Sequence, residues 1–260
     1  MARVAQGDVL PAGHREISAR LVRARANACA LSGPPEGLPD SLDEAYLLQA
    51  QSIADWDDDV VGWKVGGVPA AYLDRFDEKY LAGPIFARSV RTVEQGGCAD
   101  MPVFDGGFAA IEPEYVFRLG HTDEEDRLYI GAEIASSPIP KINDYGPTAV
   151  ISDFGNNNGL LIGPEIADWR TIDGAAKVTT HIDGECIAMK TLPDFRENAL
   201  ASLAFLRRLS AERGFPLSEG TFVSSGAITG VHEAAPGAQA LLDFGAFGSV
   251  ELKLVKAEAT

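Results

Sequence analysis

The chain has 260 residues, 46% hydrophobic and 23% charged, the proportions of an ordinary globular protein. Acidic side chains outnumber basic ones 38 to 22, leaving a net charge of −16 and no basic stripe to neutralise phosphates, which argues against a nucleic-acid partner. No run approaches the roughly 18 apolar residues of a membrane span, and the length alone permits a large core.

The first sixty residues read as helical. Over residues 16–31, Ile17, Leu21, Ala24, Ala28 and Leu31 recur at spacings of three and four, and Ser32-Gly33-Pro34-Pro35 ends that helix. Ser41 and Glu44 form a capping box for a second helix, expected to reach about Ala54. Acidic residues 55–59 then make a solvated turn. Beyond it the texture changes to short β-like runs broken by glycine and proline, at 60–65, 110–119, 128–135, 160–163, 177–182, 185–188, 221–225, 241–244 and 249–255. Asp183-Gly184 supplies a two-residue hairpin turn. One long helix interrupts the series. A second capping box, Asp194 to Glu197, opens it; Gly214 and Pro216 close it; Leu200, Leu203, Leu206 and Leu209 form its packed face. The expected organisation is a helical segment over 1–60 and a mixed, β-rich domain over 61–260. The opening MARVAQGDVLPAGHRE lacks the basic-then-apolar layout of a signal peptide, which points to the cytoplasm.

Cys29, Cys98 and Cys186 are too few and too far apart for a disulfide framework or a zinc set, and read as packing thiols. Any metal must therefore be held by oxygen. The segment Ile111-Glu112-Pro113-Glu114-Tyr115-Val116-Phe117 offers such oxygens. In a strand, residues two apart share a face, so Glu112 and Glu114 project together while Ile111, Pro113, Tyr115 and Phe117 line the other side. A lone Glu-x-Glu is also what a solvated strand face looks like. Glu133, set among Ile130, Gly131, Ala132 and Ile134, is the third acid, in surroundings where an unpaired carboxylate is expensive. Three carboxylates with no Cys or His beside them suit Mg²⁺ or Mn²⁺.

Lys64 lies in Gly62-Trp63-Lys64-Val65-Gly66-Gly67, an apolar run whose glycines permit close approach of a ligand. Apolar surroundings can lower a lysine's pKa and fit it for proton transfer; a strand-end lysine reaching solvent is the plainer alternative. Residues 152–159 are polar between two apolar runs, and Ser224-Ser225-Gly226 ends another run where hydroxyls and amides can grip an anion. His121 and His181 look structural, and His232 sits in a loop. No phosphate-binding loop, dinucleotide fingerprint or nucleophile elbow occurs.

In order, these pieces resemble the 2-keto-4-pentenoate hydratase family of the fumarylacetoacetate hydrolase superfamily. The resemblance runs through residues 41–49 (SLDEAYLLQ), 62–66 (GWKVG), 111–116 (IEPEYV), 132–139 (AEIASSPI), 153–165, 198–209, 224–230, Pro236-Gly237 and 244–249. It implies an α+β fold, a β-rich mixed-sheet roll of the superfamily's C-terminal-domain type, here with a small helical N-terminal segment. It also implies Mg²⁺ or Mn²⁺ held by Glu112, Glu114 and Glu133, with Lys64 as the active-site lysine. The expected activity is lyase chemistry, water added to a 2-hydroxydienoate or 2-oxo-enoate to give a 4-hydroxy-2-oxo acid. Lys64 would shuttle protons. Family hydratases carry an acidic residue and a proline ahead of a Gly-x-Leu stretch; here Glu78 stands in for the acid and the proline is missing. Glu78 would help position Lys64, Asn157 and Ser225 would hold the substrate carboxylate or the attacking water, and Arg88 or Arg91 would meet a second carboxylate. An acylpyruvate carbon–carbon hydrolase, which wants a carboxylate–histidine pair, a 2-oxo acid decarboxylase and a non-catalytic keto-acid binder are the alternatives. The resemblance further implies a homo-oligomer, dimer or larger, with a small 2-oxo acid as its partner and neither nucleic acid nor membrane.

Overall fold

A computed structural model describes residues 10–260. Residues 1–9, on which much of the signal-peptide reading falls, lie outside the described residues. Two helices lead, α1 (Ala12–Ala26) and α2 (Leu42–Asp55), followed by β1 (Val60–Gly67), β2 (Tyr80–Phe86), β3 (Val90–Thr92), β4 (Cys98–Val103), β5 (Phe108–Arg118) and β6 (Arg127–Ser137). Then come α3 (Pro147–Ser152), β7 (Asn157–Glu165), β8 (Ala176–Ile182), β9 (Glu185–Leu192), α4 (Glu197–Arg213), β10 (Phe222–Ser224), β11 (His232–Glu233), β12 (Gln239–Asp243) and β13 (Ser249–Lys256). All nine expected strands are present within a few residues of their expected limits. Among the described residues no helix is long and apolar enough to cross a membrane.

The strands form two mixed sheets. The larger runs β2-β1-β10-β5-β6-β7-β3, with β11 paired to β5, and the smaller runs β4-β13-β12-β8-β9. The larger sheet curls until β2, at one end of the row, lies beside β7 near the other. Its concave interior is floored by Ile85, Val116, Leu160 and Ile162, a small apolar cluster of its own. The opposite face of β5 enters the main core, where Tyr115 packs against Phe195, Phe244 and Phe247. Leu21 of α1 and Leu48 of α2 belong to that same core.

Four strands escaped the periodicity. β2 contains Gly83-Pro84 and β4 contains Pro102, both on sheet-end strands, where a missing N–H disturbs no ladder. β3 and β11 are too short for a pattern to show.

The helix ends also needed correction. α1 stops at Ala26, five residues early, because Ala28 turns left-handed (φ 49°) and the Cys29 N–H bonds back to the Ala24 carbonyl at 2.9 Å. Ser41 caps α2 as expected, accepting from the Glu44 N–H at 3.3 Å. Asp194 does not cap α4. Its carboxylate is spent on the backbone N–H and Nε of Arg196, and the helix begins at Glu197 without a side-chain cap. Leu200 is exposed; the buried face is Ala199, Ser202, Leu203, Phe205, Leu206 and Leu209. Asp183 (φ 51°) and Gly184 (φ 83°) form the expected turn between β8 and β9. All three cysteines are exposed, so they are surface thiols and not packing groups.

Gly83 is where β2 crosses residues 154–155. A side chain there would overlap the Phe154 carbonyl. Gly83→Ala is therefore expected to cost about 1–3 kcal/mol, as overpacking does, measurable as a lowered denaturation midpoint. Unchanged stability would show that the crossing can relax.

Candidate metal centre

The two-residue repeat of β5 places Glu112 and Glu114 on the concave face, and antiparallel pairing sets Glu133 of β6 directly opposite Glu112. One carboxylate oxygen from each of the three glutamates lies within 4.8 Å of the others, and all three side chains are buried. On the far side of β5, Ser224 of β10 pairs with Val116, and Lys64 of β1 pairs with Ser224. Lys64 and Ser224 thus share the face of the glutamates. Its ammonium reaches Glu133 Oε2 at 3.1 Å as an ion pair. Gly66, expected to admit a ligand, instead leaves room for this ammonium, whose Nζ would lie 3.2 Å from a Cβ there.

Asn157 arrives on the same face only through an irregularity. Between Ile134 and Ala135 the pairing of β6 with β7 slips, so that Gly159 faces Ile134 and Asn157 faces Ala135. The extra residue turns Asn157 inward, and its amide donates to Glu133 Oε1 at 3.1 Å. Glu114 Oε2 accepts from the Ser224 hydroxyl at 2.5 Å and the Gly226 N–H at 2.8 Å. Glu114 Oε1 is buried without a hydrogen-bond partner.

Burial, and behind it the charge of Glu133, pushes Glu112 up to about 8, against the pull of Lys64. Glu114 is raised well above the carboxylate range, by burial first and then by Glu133 and Glu112. Lys64 corrects the expectation from sequence. Burial does lower its pKa, but the combined charges of Glu133, Glu112 and Glu114 win, and the net direction is upward. Within this cluster the lysine is held as a cation.

The remaining candidates make other contacts, although Arg88 and Arg91 line the same cavity as Asn157. Glu78 binds Arg208 at 2.6 Å and accepts from the N–H groups of Lys79 and Tyr80. Lys64 pairs with Gly83 and Gly67 with Tyr80, so Glu78 lies before the start of β2, beyond the last paired position on the way from Lys64. Arg88 is exposed and paired with Asp57 and Asp58. Arg91 folds back on the carbonyls of Arg88 and Val90. The Ser225 hydroxyl donates to the Tyr115 carbonyl at 2.7 Å; its neighbour Ser224 is the one that reaches a glutamate. Ser224 was signalled only by the alternation of β10, since of two adjacent serines one must face inward.

No protein-family model matches the chain. A 108-residue stretch is 28% identical to 4-oxalocrotonate decarboxylase of Pseudomonas putida, spanning 41% of this chain and 41% of that protein. The structure superposes on 4-oxalocrotonate decarboxylase from Pseudomonas putida G7, complexed with magnesium and adipate, with a TM-score of 0.75 and 20% identity over 93% of this chain and 97% of that one. The chain has the fumarylacetoacetate hydrolase fold. The same fold is seen in fumarylpyruvate hydrolase from Pseudomonas aeruginosa in complex with Mn²⁺ and pyruvate, with a TM-score of 0.54 and 17% identity over 75% of this chain and 89% of that one. The mixed-sheet roll expected from the sequence is thus the roll observed.

The two serines give a direct check on this hydrogen-bond network. Ser224→Ala strips a buried carboxylate of a donor and is expected to cost about 1–3 kcal/mol. Ser225→Ala leaves the Tyr115 carbonyl with the Ser225 N–H at 3.1 Å and should cost under about 1 kcal/mol. Denaturant unfolding of both variants reads the difference, and equal losses would contradict it.

Proposed function

We propose that this protein is a divalent-metal-dependent enzyme of the fumarylacetoacetate hydrolase superfamily, acting on unsaturated 2-oxo acids. The observation that carries the reading is the alignment of Lys64, Ser224, Glu114, Glu112, Glu133 and Asn157 on one interior face across five neighbouring strands. The cluster fits a cation. Three buried carboxylates converge, Glu114 Oε1 and Glu133 Oε2 accept no hydrogen bond, and the single lysine paired with Glu133 is too little positive charge to balance all three. All the ligands are hard oxygens, which suits Mg²⁺ or Mn²⁺.

Glu112, Glu114 and Glu133 would hold the ion. When bound, it supplies Lewis-acid stabilisation of the negative charge that develops on a 2-oxo acid. Ser224 and the Gly226 N–H orient Glu114, and Asn157 orients Glu133. Lys64 carries the proton. We favour decarboxylation of a 2-oxo-enedioate, because the sequence relative and the two structures that superpose with a TM-score of 0.75 are decarboxylases. In that reaction the bond to the departing carboxylate breaks, CO₂ leaves, its electron pair passes into the conjugated enolate, and the Lys64 ammonium supplies the proton that quenches it. Hydration, the reaction implied by the sequence motifs, uses the same proton, with water adding at the far end of the conjugated system. The hydrolase reading wants a histidine beside the acids, and none of the hydrogen bonds or ion pairs of these glutamates involves one.

We further place the enzyme in the cytoplasm, which its exposed free thiols suit, and expect a homo-oligomer, because Ile187 and Met189 are exposed on the sheet-end strand β9. A monomer mass by light scattering at micromolar concentration would exclude the oligomer.

Ultraviolet absorbance with a panel of 2-oxo-enedioates, 2-hydroxydienoates and acylpyruvates separates the reactions. Chelation should abolish turnover, with Mg²⁺ or Mn²⁺ restoring it. Lys64→Ala should lower turnover by about 10²- to 10⁴-fold in a folded protein. Full activity without metal, or in the lysine variant, would refute the assignment.

A further inference from the structure

We infer that Arg25, on the N-terminal helix α1, is a positioning residue for the metal centre: it clamps residues 153–158 in the path that delivers Asn157 to Glu133. The inference rests on the metal-centre reading above and adds to it a residue whose polar contacts are with the chain around Asn157 and not with the glutamates.

Arg25 and Asp153 are both buried. The guanidinium grips the Asp153 carboxylate side-on, Nε to Oδ1 at 2.6 Å and Nη2 to Oδ2 at 2.9 Å. It also donates to the carbonyls of Asp153 at 3.1 Å, Asn157 at 2.9 Å and Ser136 at 3.2 Å, and to Asn158 Oδ1 at 3.3 Å. The rings of Phe104 and Phe154 lie against it, with centroids 5.4 and 5.0 Å away. Every one of these polar partners belongs to residues 153–158 or to the end of β6.

That segment needs a clamp. Phe154 (φ 57°), Gly155 (φ 65°) and Asn156 (φ 55°) are consecutive left-handed residues, two of them not glycine. Such backbone persists only where its surroundings over-determine it. It then feeds straight into the slipped register that turns Asn157 inward. Asn157 is held at both ends: its carbonyl by Arg25, its amide on Glu133 Oε1. The Ser136 carbonyl, three residues beyond Glu133 on β6, is held by the same guanidinium. One side chain therefore ties β6 to the start of β7 at the place where their pairing slips. Only a planar fork with five N–H groups can serve so many acceptors; lysine has three donors on a single atom.

The test is Mn²⁺ affinity of the 260-residue chain, read from the paramagnetic resonance signal of free Mn²⁺. Arg25→Lys keeps the charge and loses the fork. It should weaken Mn²⁺ binding by about 10- to 100-fold, the range for residues that orient metal ligands, while thermal unfolding stays cooperative. Leu21→Ala removes a buried side chain from the same helix and should lower the melting temperature with Mn²⁺ affinity unchanged. Should Arg25→Lys not fold, Asp153→Asn, which preserves shape and removes the charge, is expected to give the same loss. Wild-type-like affinity in whichever of these two variants folds, or a loss in Leu21→Ala equal to theirs, would overturn the positioning role while leaving the metal centre intact. Wild-type protein that binds no Mn²⁺ would overturn the metal reading itself, and this inference with it.

Discussion

Like charge buried in a confined space is the constraint on which the rest of this structure turns. Glu112, Glu114 and Glu133 share the interior of a curled sheet, and among the described residues Lys64 is the one cation in direct contact. Isolated ionised carboxylates in such a place are prohibitively costly, so the surrounding chain must supply donors or the groups must take up protons. Both responses are visible. Ser224, Gly226, Asn157 and Lys64 point donors at the acids, and Glu112 and Glu114 are pushed towards protonation. Converging buried carboxylates of this kind would gain from a divalent cation between them.

Those donors come from both sides of the acidic strands, which explains the curl. A flat sheet would leave Lys64, two strands away from β5, and Asn157, two strands away on the other side, far apart across its width. Rolling brings them together over the same carboxylates. The glycine crossing at Gly83 and the slipped register at Asn157 are local departures from regular β geometry, and both adjoin the cluster. Irregularities of this kind are tolerated where a side chain must be re-aimed.

The fold does not choose the reaction. Decarboxylase, hydrolase and isomerase neighbours share this scaffold, so discrimination must come from what meets the substrate beyond the carboxylates. Arg88, the sequence's candidate for a second carboxylate, is exposed and pairs with Asp57 and Asp58 at the wall of the cavity that Asn157 also lines; Glu78, expected to position Lys64, is bound by Arg208.

Strand periodicity is a local property, and it was legible. The sharing of a face by Glu112 and Glu114, the hydrophobic character of Tyr115 and Phe117, the Asp183-Gly184 turn and the cap at Ser41 all follow from neighbours in sequence. The choice of oxygen-loving metal follows from the residue types alone. Long-range facts were not legible. Which of Ser224 and Ser225 faces inward depends on the register of β10 against β5; the distance of Glu78 from Lys64 depends on how β2 pairs with β1. α1 ends at a left-handed alanine, and the residues after it bond to distant chain, Leu31 to the Pro138 carbonyl; no local signal encodes that stop. The upward shift of Lys64 was likewise hidden, because it arises from carboxylates about fifty residues or more further along the chain. Sequence determined which chemistry was available and on which face of each strand it stood. Tertiary structure alone decided which of those faces meet, because register and curl are set by packing between segments that share no sequence neighbourhood.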